Sequence, residues 1–338
     1  MPCYYPIQAW QPVYQNEAGK RPLIFKFDKK TCGNEVEIGC GRCIGCRLER
    51  SRQWAIRCVH ESQLHENNTY LTLTYDEEHL PSDGSLDHTH FQKFMKRYRK
   101  AFPDTKIRYF MCGEYGERCY FCKLNKQSCW RNQAGCHKNW TPELARPHYH
   151  AIIFGHDFDD KEIYQEQDNG IKLYESEKLH KIWGNGQCII GDVTFESAAY
   201  VARYILKKVN NDDDGNHYIN TNLNTGELQN LKPEYTTMSR GGNSKTGNAG
   251  GIAKGWFDRY RMDLGKGYIT MRGIKMKPPK FYDTLLEKHD PDEFEVIQQD
   301  RMEQQRTADK SDQTLDRLRV REKIHLKRST KLKRGYET

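Results

Sequence analysis

The 338-residue chain contains 30% charged and 36% hydrophobic residues, so a folded core requires apolar residues to be concentrated in segments. Its formal net charge of +8 is compatible with a polyanionic partner. The N-terminus has no basic segment followed by an apolar core, and no stretch approaches about 18 consecutive apolar residues, so neither a secretory signal nor a membrane span is expected. Twelve cysteines in such a chain indicate a reducing compartment, where closely spaced cysteines are more often metal ligands than disulfides.

The patterns of residues 43–209 predict three helices and four strands, whereas the first 40 or so residues carry no clear pattern. Apolar residues at helical spacing predict helices over residues 43–66, 90–102 and 196–209. Alternating segments rich in β-branched and aromatic residues predict strands over residues 69–75, 107–116, 148–154 and 187–195. Residues 210–255 are polar and glycine-rich, which predicts a long loop with a hairpin in it. From about residue 290 the chain is charged and helix-prone.

The third predicted strand begins with two histidines, in the sequence RPHYHAIIF. Residues two apart in a strand share a face, so His148 and His150 should project side by side. Two imidazoles placed in this way can bind a divalent metal ion. The alternative is that one histidine is a hydrogen-bonded polar residue at a strand end and the other is incidental.

Two tyrosines lie four residues apart in the predicted helix AAYVARYILKK. On a helix, Tyr200 and Tyr204 share one face, where they either act as nucleophiles beside a metal-bound phosphate or line the core. The pKa of tyrosine is about 10, so a tyrosine nucleophile needs activation. Lys207 and Lys208 follow within one turn, and they either add positive charge at the phosphate or stabilise the helix C-terminus.

The segments TYLTLTY, RPHYHAIIF and AYVARYILKK occur in this order, and together they resemble the three motifs of rolling-circle replication initiators of the HUH endonuclease superfamily. The YxxxY spacing followed by lysines is most similar to the initiators of small single-stranded DNA bacteriophages, the microviruses and especially the gokushoviruses. Other segments carry the same resemblance: MPCYYP, CGRCIGCRLERSRQWA, GEYGE, KGWFDRY and KPPKFYD. The resemblance therefore extends from the N-terminus to about residue 283.

The resemblance implies a DNA nickase and strand transferase that starts rolling-circle replication of a phage genome in the cytoplasm of a bacterial host. His148 and His150 would hold Mg²⁺ or Mn²⁺ against the scissile phosphate. One tyrosine of the pair Tyr200 and Tyr204 would attack the origin, leaving a 5′-phosphotyrosine link and a free 3′-hydroxyl. The second tyrosine would cut the regenerated origin after one round, and the released strand would be closed into a circle.

The resemblance also implies an α+β fold with a central antiparallel sheet of the RRM-like or ferredoxin-like kind. We expect helices on one face of this sheet and the tyrosine helix across the metal site. Such sites include a third polar ligand. Glu114 is the first choice, because its strand is expected to pair with the histidine strand. Glu117 is the second choice. A solvated turn is the alternative place for Glu114. Tyr70, Thr72 and Thr74 either position DNA or fill a strand interior.

A cysteine-rich insertion, residues 117–145, separates the second and third predicted strands. It contains Cys119, Cys122, Cys129 and Cys136, with His137 adjacent. A CxxC pair followed by two further cysteines in a segment with few aliphatic residues is typical of a structural zinc site. Free thiols on a flexible loop are the alternative.

A second group of cysteines lies near the N-terminus, in the segment CGRCIGC. It supplies Cys40, Cys43 and Cys46, which is one ligand short of a zinc site. The fourth ligand would come from elsewhere in the chain: Cys3, Cys32 or Cys58. Buried thiols at the start of a helix are the alternative.

Basic residues in the tyrosine helix and the C-terminal tail are the expected DNA contacts: Arg203, Lys208, Arg328, Lys331, Lys333 and Arg334. Residues 317–334 are strongly basic, with Glu322 as their single acid, and they either bind phosphates of the origin DNA, single-stranded or supercoiled, or form a solvated helix. The sequence has no GxxxxGK[ST] phosphate-binding loop, so a host helicase is expected to unwind the strands for a host polymerase.

Four segments are expected along the chain. Residues 1–66 form a cysteine-containing segment and first helix packed on the nuclease domain, and residues 67–210 form the nuclease core with its insertion. Residues 211–285 form the glycine-rich loop and the end of the domain, and residues 286–338 form a charged helical tail. Two other functions stay open. One is a transposase or relaxase with the same chemistry; the other is a non-catalytic, zinc-containing DNA-binding protein, which leaves the HYH and YVARY motifs unexplained.

Overall fold

The computed structural model describes residues 3–17, 22–116, 146–167, 170–203, 218–221, 228–240, 250–307, 309 and 311–329. The chain divides into two compact units. The terminal unit comprises Met1–Arg50 and Gln298–Thr338, and the central unit comprises Ser51–Ile297. Within the described residues, no helix has the length and apolarity needed to cross a membrane.

The described helices and strands are numbered in chain order. The helices are α1 (Ile44–Ser62), α2 (His88–Ala101), α3 (Glu177–Trp183), α4 (Phe195–Arg203), α5 (Lys254–Tyr260), α6 (Lys280–His289), α7 (Pro291–Thr307) and α8 (Leu315–Ser329). The strands are β1 (Ile7–Pro12), β2 (Cys32–Ile38), β3 (Asn68–Thr74), β4 (Arg108–Tyr115), β5 (Pro147–Phe154), β6 (Glu162–Glu166), β7 (Lys172–Glu175), β8 (Cys188–Gly191), β9 (Ile219–Thr221), β10 (Leu228–Asn230), β11 (Tyr235–Met238), β12 (Ile269–Met271) and β13 (Ile274–Met276).

The first two predicted helices and first three predicted strands are confirmed to within a few residues, as α1, α2, β3, β4 and β5. The strand predicted over residues 187–195 is too long, because β8 ends at Gly191 and α4 begins at Phe195. A reciprocal cap explains the early helix: the Thr194 amide donates to Ser197 Oγ (2.8 Å), and the Ser197 amide donates to Thr194 Oγ1 (3.1 Å). The predicted hairpin within residues 210–255 corresponds to β9 and β10.

A seven-stranded sheet lies in the central unit, with the strand order β11-β4-β5-β3-β8-β7-β6. Every pair of neighbouring strands in this sheet is antiparallel. The predicted α+β class with a central antiparallel sheet is thus confirmed. The sequence patterns missed β6, β7 and α3, although α3 carries ordinary end signals: Ser176 Oγ accepts from the Leu179 amide (3.1 Å), and Gly184 takes a left-handed conformation after its last turn.

Helices pack on both faces of the sheet, so the expectation that they lie on one face is wrong. On one face, α2 and α3 cover a hydrophobic core that includes Phe94, Trp183 and Tyr149. On the other face, α1 lies against β4, where the ring of Trp54 stacks on Phe110 with 5.0 Å between the centroids. The physical reason is that β5 is buried on both faces, which is normal only for a strand covered on each side.

Helix α1 is attached to the rest of the central unit by a buried aromatic stack around His60. The His60 ring lies 3.6 Å from the ring of Trp256 and 5.8 Å from that of Tyr282, and its Nδ1 is 2.8 Å from the Tyr282 hydroxyl. Trp256 belongs to the segment KGWFDRY and Tyr282 to KPPKFYD. These two segments therefore contribute to packing against α1. Burial lowers the pKa of His60 from 6.5 to about 3.

We expect His60 to make the stability of the protein depend on pH. Between pH 6.5 and about 3 the unfolded chain binds a proton at His60 that the folded chain does not. The free energy of unfolding should therefore fall as the pH drops below 6.5, by up to about 1.4 kcal/mol per pH unit from this group. Urea unfolding of the wild type and of His60→Gln at pH 7 and pH 5 measures the contribution. Equal losses of stability in the two proteins would contradict the assignment.

Candidate active site

The pairing of β4 with β5 brings one carboxylate and two imidazoles onto one face of the sheet. In this register Glu114 lies opposite His148, and Cys112 lies opposite His150. The two histidines are two residues apart on one strand, so their side chains share a face with Glu114. The predicted pairing of the Glu114 strand with the histidine strand is therefore confirmed.

The three side chains converge on a single carboxylate oxygen. Glu114 Oε1 lies 3.1 Å from His148 Nε2 and 2.9 Å from His150 Nε2. The exposed fraction of the side chain is 1% for Glu114 and His150 but 13% for His148, so the cluster reaches solvent on the side of His148. One ligand atom from each residue lies within 4.8 Å of the other two, which is close enough for one metal ion.

Hydrogen bonds on the far side of each ring orient the imidazoles. His148 Nδ1 lies 3.1 Å from the backbone oxygen of Arg146, and because a carbonyl oxygen only accepts, this nitrogen carries a proton. His150 Nδ1 lies 2.8 Å from the Tyr70 hydroxyl and 3.0 Å from Thr72 Oγ1. Both Nδ1 atoms are therefore held by neighbours, and both Nε2 atoms point towards Glu114, which is the orientation that metal-binding histidines have in proteins.

Electrostatics keep the carboxyl group ionised. Burial would raise the pKa of Glu114, but the charge and hydrogen bonds of His148 and His150 outweigh it, so this pKa lies well below 4.5. At neutral pH the cluster therefore contains a buried carboxylate next to two nitrogen donors. A metal ion would bind the carboxylate and displace any proton on the two Nε2 atoms, because only an unprotonated ring nitrogen is a ligand.

The residue between the two histidines points to the opposite face of the sheet. The Tyr149 hydroxyl donates to the backbone oxygen of Asp87 (2.7 Å) and lies 2.7 Å from the Tyr75 hydroxyl. Tyr149 thus belongs to the core under α2, while His148 and His150 belong to the cluster with Glu114. The alternation of the strand explains why two polar side chains bracket a buried ring.

Helix α4 places the first tyrosine of the YxxxY pair beside the cluster. The Tyr200 ring lies edge-on to the His150 ring, with 5.1 Å between the centroids, and 6.5 Å from the Tyr70 ring. Ser51 Oγ donates to the backbone oxygen of Ala199 (3.2 Å), which fixes this helix against α1. The expectation that the tyrosine helix approaches the histidines is met for Tyr200.

Several predicted site residues lie outside the described residues: Glu117, Cys119, Cys122, Cys129, Cys136, His137, Tyr204, Lys207, Lys208, Lys331, Lys333 and Arg334. Only the backbone of Arg203 is described, as the last residue of α4. Arg328 is exposed on α8. The predicted roles of all these residues in zinc binding, catalysis and DNA binding stay predictions.

The first motif contributes to the cluster in a way that its sequence did not indicate. Tyr70 and Thr72 are buried and contact His150, while Thr74 Oγ1 donates to the backbone oxygen of Gln187 (3.1 Å). Their alternation along β3 does indicate a shared face. The alternation does not indicate that Tyr70 and Thr72 contact a histidine, because the partner strand is about 80 residues away in sequence.

A second group that could hold a metal ion lies in the terminal unit. It consists of four cysteines: Cys3, Cys40, Cys43 and Cys46. The last three were predicted as ligands, and the structure adds Cys3. The other two candidates for the fourth position, Cys32 and Cys58, do not belong to this group.

Comparisons with known proteins connect this chain to phage replication. A family described as "Replication-associated protein ORF2/G2P" matches residues 68–121 and 120–209, which include both histidines and both tyrosines. The replication-associated protein VP4 of Bdellovibrio phage phiMH2K is 29% identical over 264 residues, 75% of this chain and 69% of that protein. The replication-associated protein ORF2 of Spiroplasma virus 4 is 29% identical over 270 residues, 76% of this chain and 70% of that protein.

A third relative, the replication-associated protein ORF4 of Chlamydia phage 1, is 27% identical over 258 residues, 74% of this chain and 54% of that protein. No solved structure matches the chain. The resemblance to replication proteins of phages, drawn from the sequence motifs, is thus confirmed over 74–76% of the chain.

Proposed function

We propose that this chain, which is similar over 75% of its length to a phage replication-associated protein, is the endonuclease that initiates rolling-circle replication of a small phage genome. It would act on single-stranded or supercoiled origin DNA in the cytoplasm of a bacterial host, with host helicase and polymerase as partners. The observation that carries the proposal is the cluster of Glu114, His148 and His150 with the Tyr200 ring packed beside it.

The donor set of the cluster fits a divalent metal ion. Two imidazole nitrogens and one carboxylate oxygen suit Mn²⁺ better than Mg²⁺, because Mg²⁺ prefers oxygen ligands throughout. Glu114, His148 and His150 are the residues that would hold it. When bound, the ion would supply positive charge to the non-bridging oxygens of the scissile phosphate and to the leaving oxygen.

The tyrosines supply the nucleophile. The hydroxyl oxygen of Tyr200 or Tyr204 forms a bond to phosphorus while the bond from phosphorus to the 3′-oxygen breaks, and the tyrosine proton passes through solvent to that 3′-oxygen. The products are a 5′-phosphotyrosine and a free 3′-hydroxyl. Lys207 would contribute positive charge during this step. The covalent bond conserves the energy of the phosphodiester, so a later attack by a 3′-hydroxyl can close the strand.

A second tyrosine is needed because the first stays occupied throughout a round of replication. The remaining member of the pair cuts the regenerated origin, and the released 3′-hydroxyl then attacks the first phosphotyrosine. Each of the two transfers breaks one phosphate ester bond and forms another. The four-residue spacing of the two tyrosines predicts that they share one helix face, where each would reach the same phosphate position in turn.

A denaturing gel tests the proposed function. The protein is incubated with single-stranded fragments that tile its own genome, with Mn²⁺ or with EDTA. We expect one fragment to give a protein–DNA adduct that survives denaturation and forms only with Mn²⁺. If no fragment gives an adduct although several bind on a native gel, the chain is a non-catalytic DNA-binding protein.

The hydroxyl groups behind His150 should determine how tightly the metal is bound. We expect the double variant Tyr70→Phe/Thr72→Val to lower the affinity for Mn²⁺ by about 10- to 100-fold, because it removes two hydroxyl groups that lie within hydrogen-bond distance of His150 Nδ1 and help to orient the ring. The shapes of both side chains are kept.

Titration of Mn²⁺, followed by the electron paramagnetic resonance signal of the free ion, measures this affinity. Thr74→Val is the matched control, since the Thr74 hydroxyl lies on the same strand but donates to Gln187. Equal affinity in the double variant and the control would show that these hydroxyls do not position the ligand.

A further inference from the structure

The four cysteine side chains of the terminal unit form a compact group of sulfur atoms. All four sulfurs lie within 4.8 Å of one another. Cys40 Sγ is 4.0 Å from Cys46 Sγ, and Cys43 Sγ is 3.9 Å from Cys3 Sγ. A zinc–sulfur bond of 2.3 Å gives sulfur–sulfur edges of about 3.8 Å in a tetrahedron. The two measured edges are therefore close to those of one zinc ion bound by four thiolates.

Backbone amides donate to these sulfurs, as they do to the ligands of a metal site. The Cys40 amide donates to Cys3 Sγ (3.2 Å), and the Cys43 amide donates to Cys40 Sγ (3.3 Å). Cys43 Sγ accepts from the amides of Cys46 (3.5 Å) and Tyr4 (3.4 Å). Hydrogen bonds of this kind stabilise the charged thiolate, which is the form of cysteine that binds metals.

The backbone between these cysteines is shaped around the sulfurs. Gly41 has φ +75°, a left-handed conformation that lets the chain turn between Cys40 and Cys43. At Gly39 a Cβ atom would lie 3.0 Å from Cys46 Sγ, so a larger residue would crowd that sulfur. A side chain at position 41 would therefore strain the turn, and one at position 39 would crowd Cys46.

We propose that Cys3, Cys40, Cys43 and Cys46 bind one zinc ion, which joins the N-terminal segment to the CGRCIGC segment and supports the docking of α8. A multinuclear iron–sulfur cluster fits less well, because its cysteines bind different irons and lie further apart. This proposal is independent of the proposed nickase activity.

The contacts of Tyr4 and Tyr5 connect the cysteines to α8. The Tyr4 hydroxyl lies 2.8 Å from His325 Nδ1, and the Tyr5 hydroxyl donates to Glu322 (2.6 Å). Leu318 of α8 is buried against Tyr4 and Cys43. Among the described residues, the hydrophobic cluster here has three buried members, Tyr4, Cys43 and Leu318, so a metal would supply order that so little apolar burial does not.

Zinc content tests the proposal on the full-length protein. Zinc and iron per chain are measured by inductively coupled plasma mass spectrometry for the wild type, Cys3→Ser/Cys40→Ser and the control Cys32→Ser. We expect the double variant to contain one zinc equivalent less than the wild type and Cys32→Ser to match the wild type. The comparison holds whether or not the insertion cysteines bind zinc as well. Equal zinc in all three proteins, or iron in place of zinc, would overturn the proposal.

A second measurement needs no variant and so does not depend on whether the double variant folds. Native wild type is treated with iodoacetamide before and after removal of zinc by a chelator, and modified cysteines are identified by peptide mass spectrometry. We expect the four cysteines to be protected together and to become reactive together. Hydrogen exchange in α8 should then accelerate by at least about 10-fold. Reaction of Cys3 or Cys40 before zinc removal would overturn the proposal.

Discussion

Replacing His150 by alanine is expected to lower the rate of single-turnover DNA nicking by at least about 10³-fold. The substitution removes one of the two imidazoles whose Nε2 atoms lie within 3.1 Å of the buried Glu114 carboxylate. A metal ion contributes several kcal/mol of charge stabilisation to phosphate chemistry, and a loss of about 4 kcal/mol corresponds to a factor of 10³. The rate is measured with excess enzyme on the origin fragment at a fixed Mn²⁺ concentration.

Two further variants serve as controls, so that a loss of activity caused by misfolding can be recognised. His148→Ala removes the more exposed donor and should cause a comparable loss of rate with less disturbance of packing. His289→Ala, at an exposed position at the end of α6, should cut at the wild-type rate. Thermal unfolding of all proteins shows whether they are folded. A folded His150→Ala protein that nicks DNA within 10-fold of the wild-type rate would exclude this cluster as the metal site of the reaction.

Replacing both tyrosines of the YxxxY pair by phenylalanine is expected to abolish the covalent adduct completely. Phenylalanine keeps the ring that packs on His150 and Tyr70, so Tyr200→Phe should remain folded with its helix in place. The change removes only the nucleophilic oxygen. Adduct formation by the double variant should fall below detection, a loss of at least about 10⁴-fold, because both proposed nucleophilic oxygens are removed.

The single variants distinguish two nucleophiles from one. If both tyrosines act, Tyr200→Phe and Tyr204→Phe each still form an adduct on an origin fragment, and neither completes joining of two origin copies. If one single variant loses all adduct while the other behaves as the wild type, the chain uses one tyrosine. DNA binding by the variants, measured by fluorescence anisotropy, controls for loss of affinity. A persistent adduct in the double variant would contradict the assignment.

The regular spacing of side chains along strands and helices explains why much of the site was predictable from the sequence. His148 and His150 share a face because strand side chains alternate, and the pairing of their strand with that of Glu114 follows from two neighbouring apolar strands. Tyr200 approaches the same face because α4 covers that side of β5. Each of these relations depends on local spacing or on one strand pairing.

Relations between residues distant in sequence were not predictable. Cys3 joins a cluster with residues 37 or more positions away, and sequence spacing alone did not choose it over Cys32 or Cys58. The contacts of Tyr70 and Thr72 with His150 depend on the register of two strands that are far apart in the chain. The packing of helices on both faces also escaped prediction, because it depends on which helix covers which apolar row.

Identification of the amino acid that becomes linked to DNA is the direct test of the proposed tyrosine chemistry. The wild type is incubated with Mn²⁺ and origin fragments, then digested with nuclease and trypsin. Cleavage after Lys181, Arg203 and Lys207 places Tyr200 and Tyr204 on different peptides, which mass spectrometry resolves. We predict a nucleotide attached through phosphate to Tyr200 or Tyr204, and none in the presence of EDTA. A nucleotide on another residue, or none on any peptide although the DNA is cut, would contradict the account.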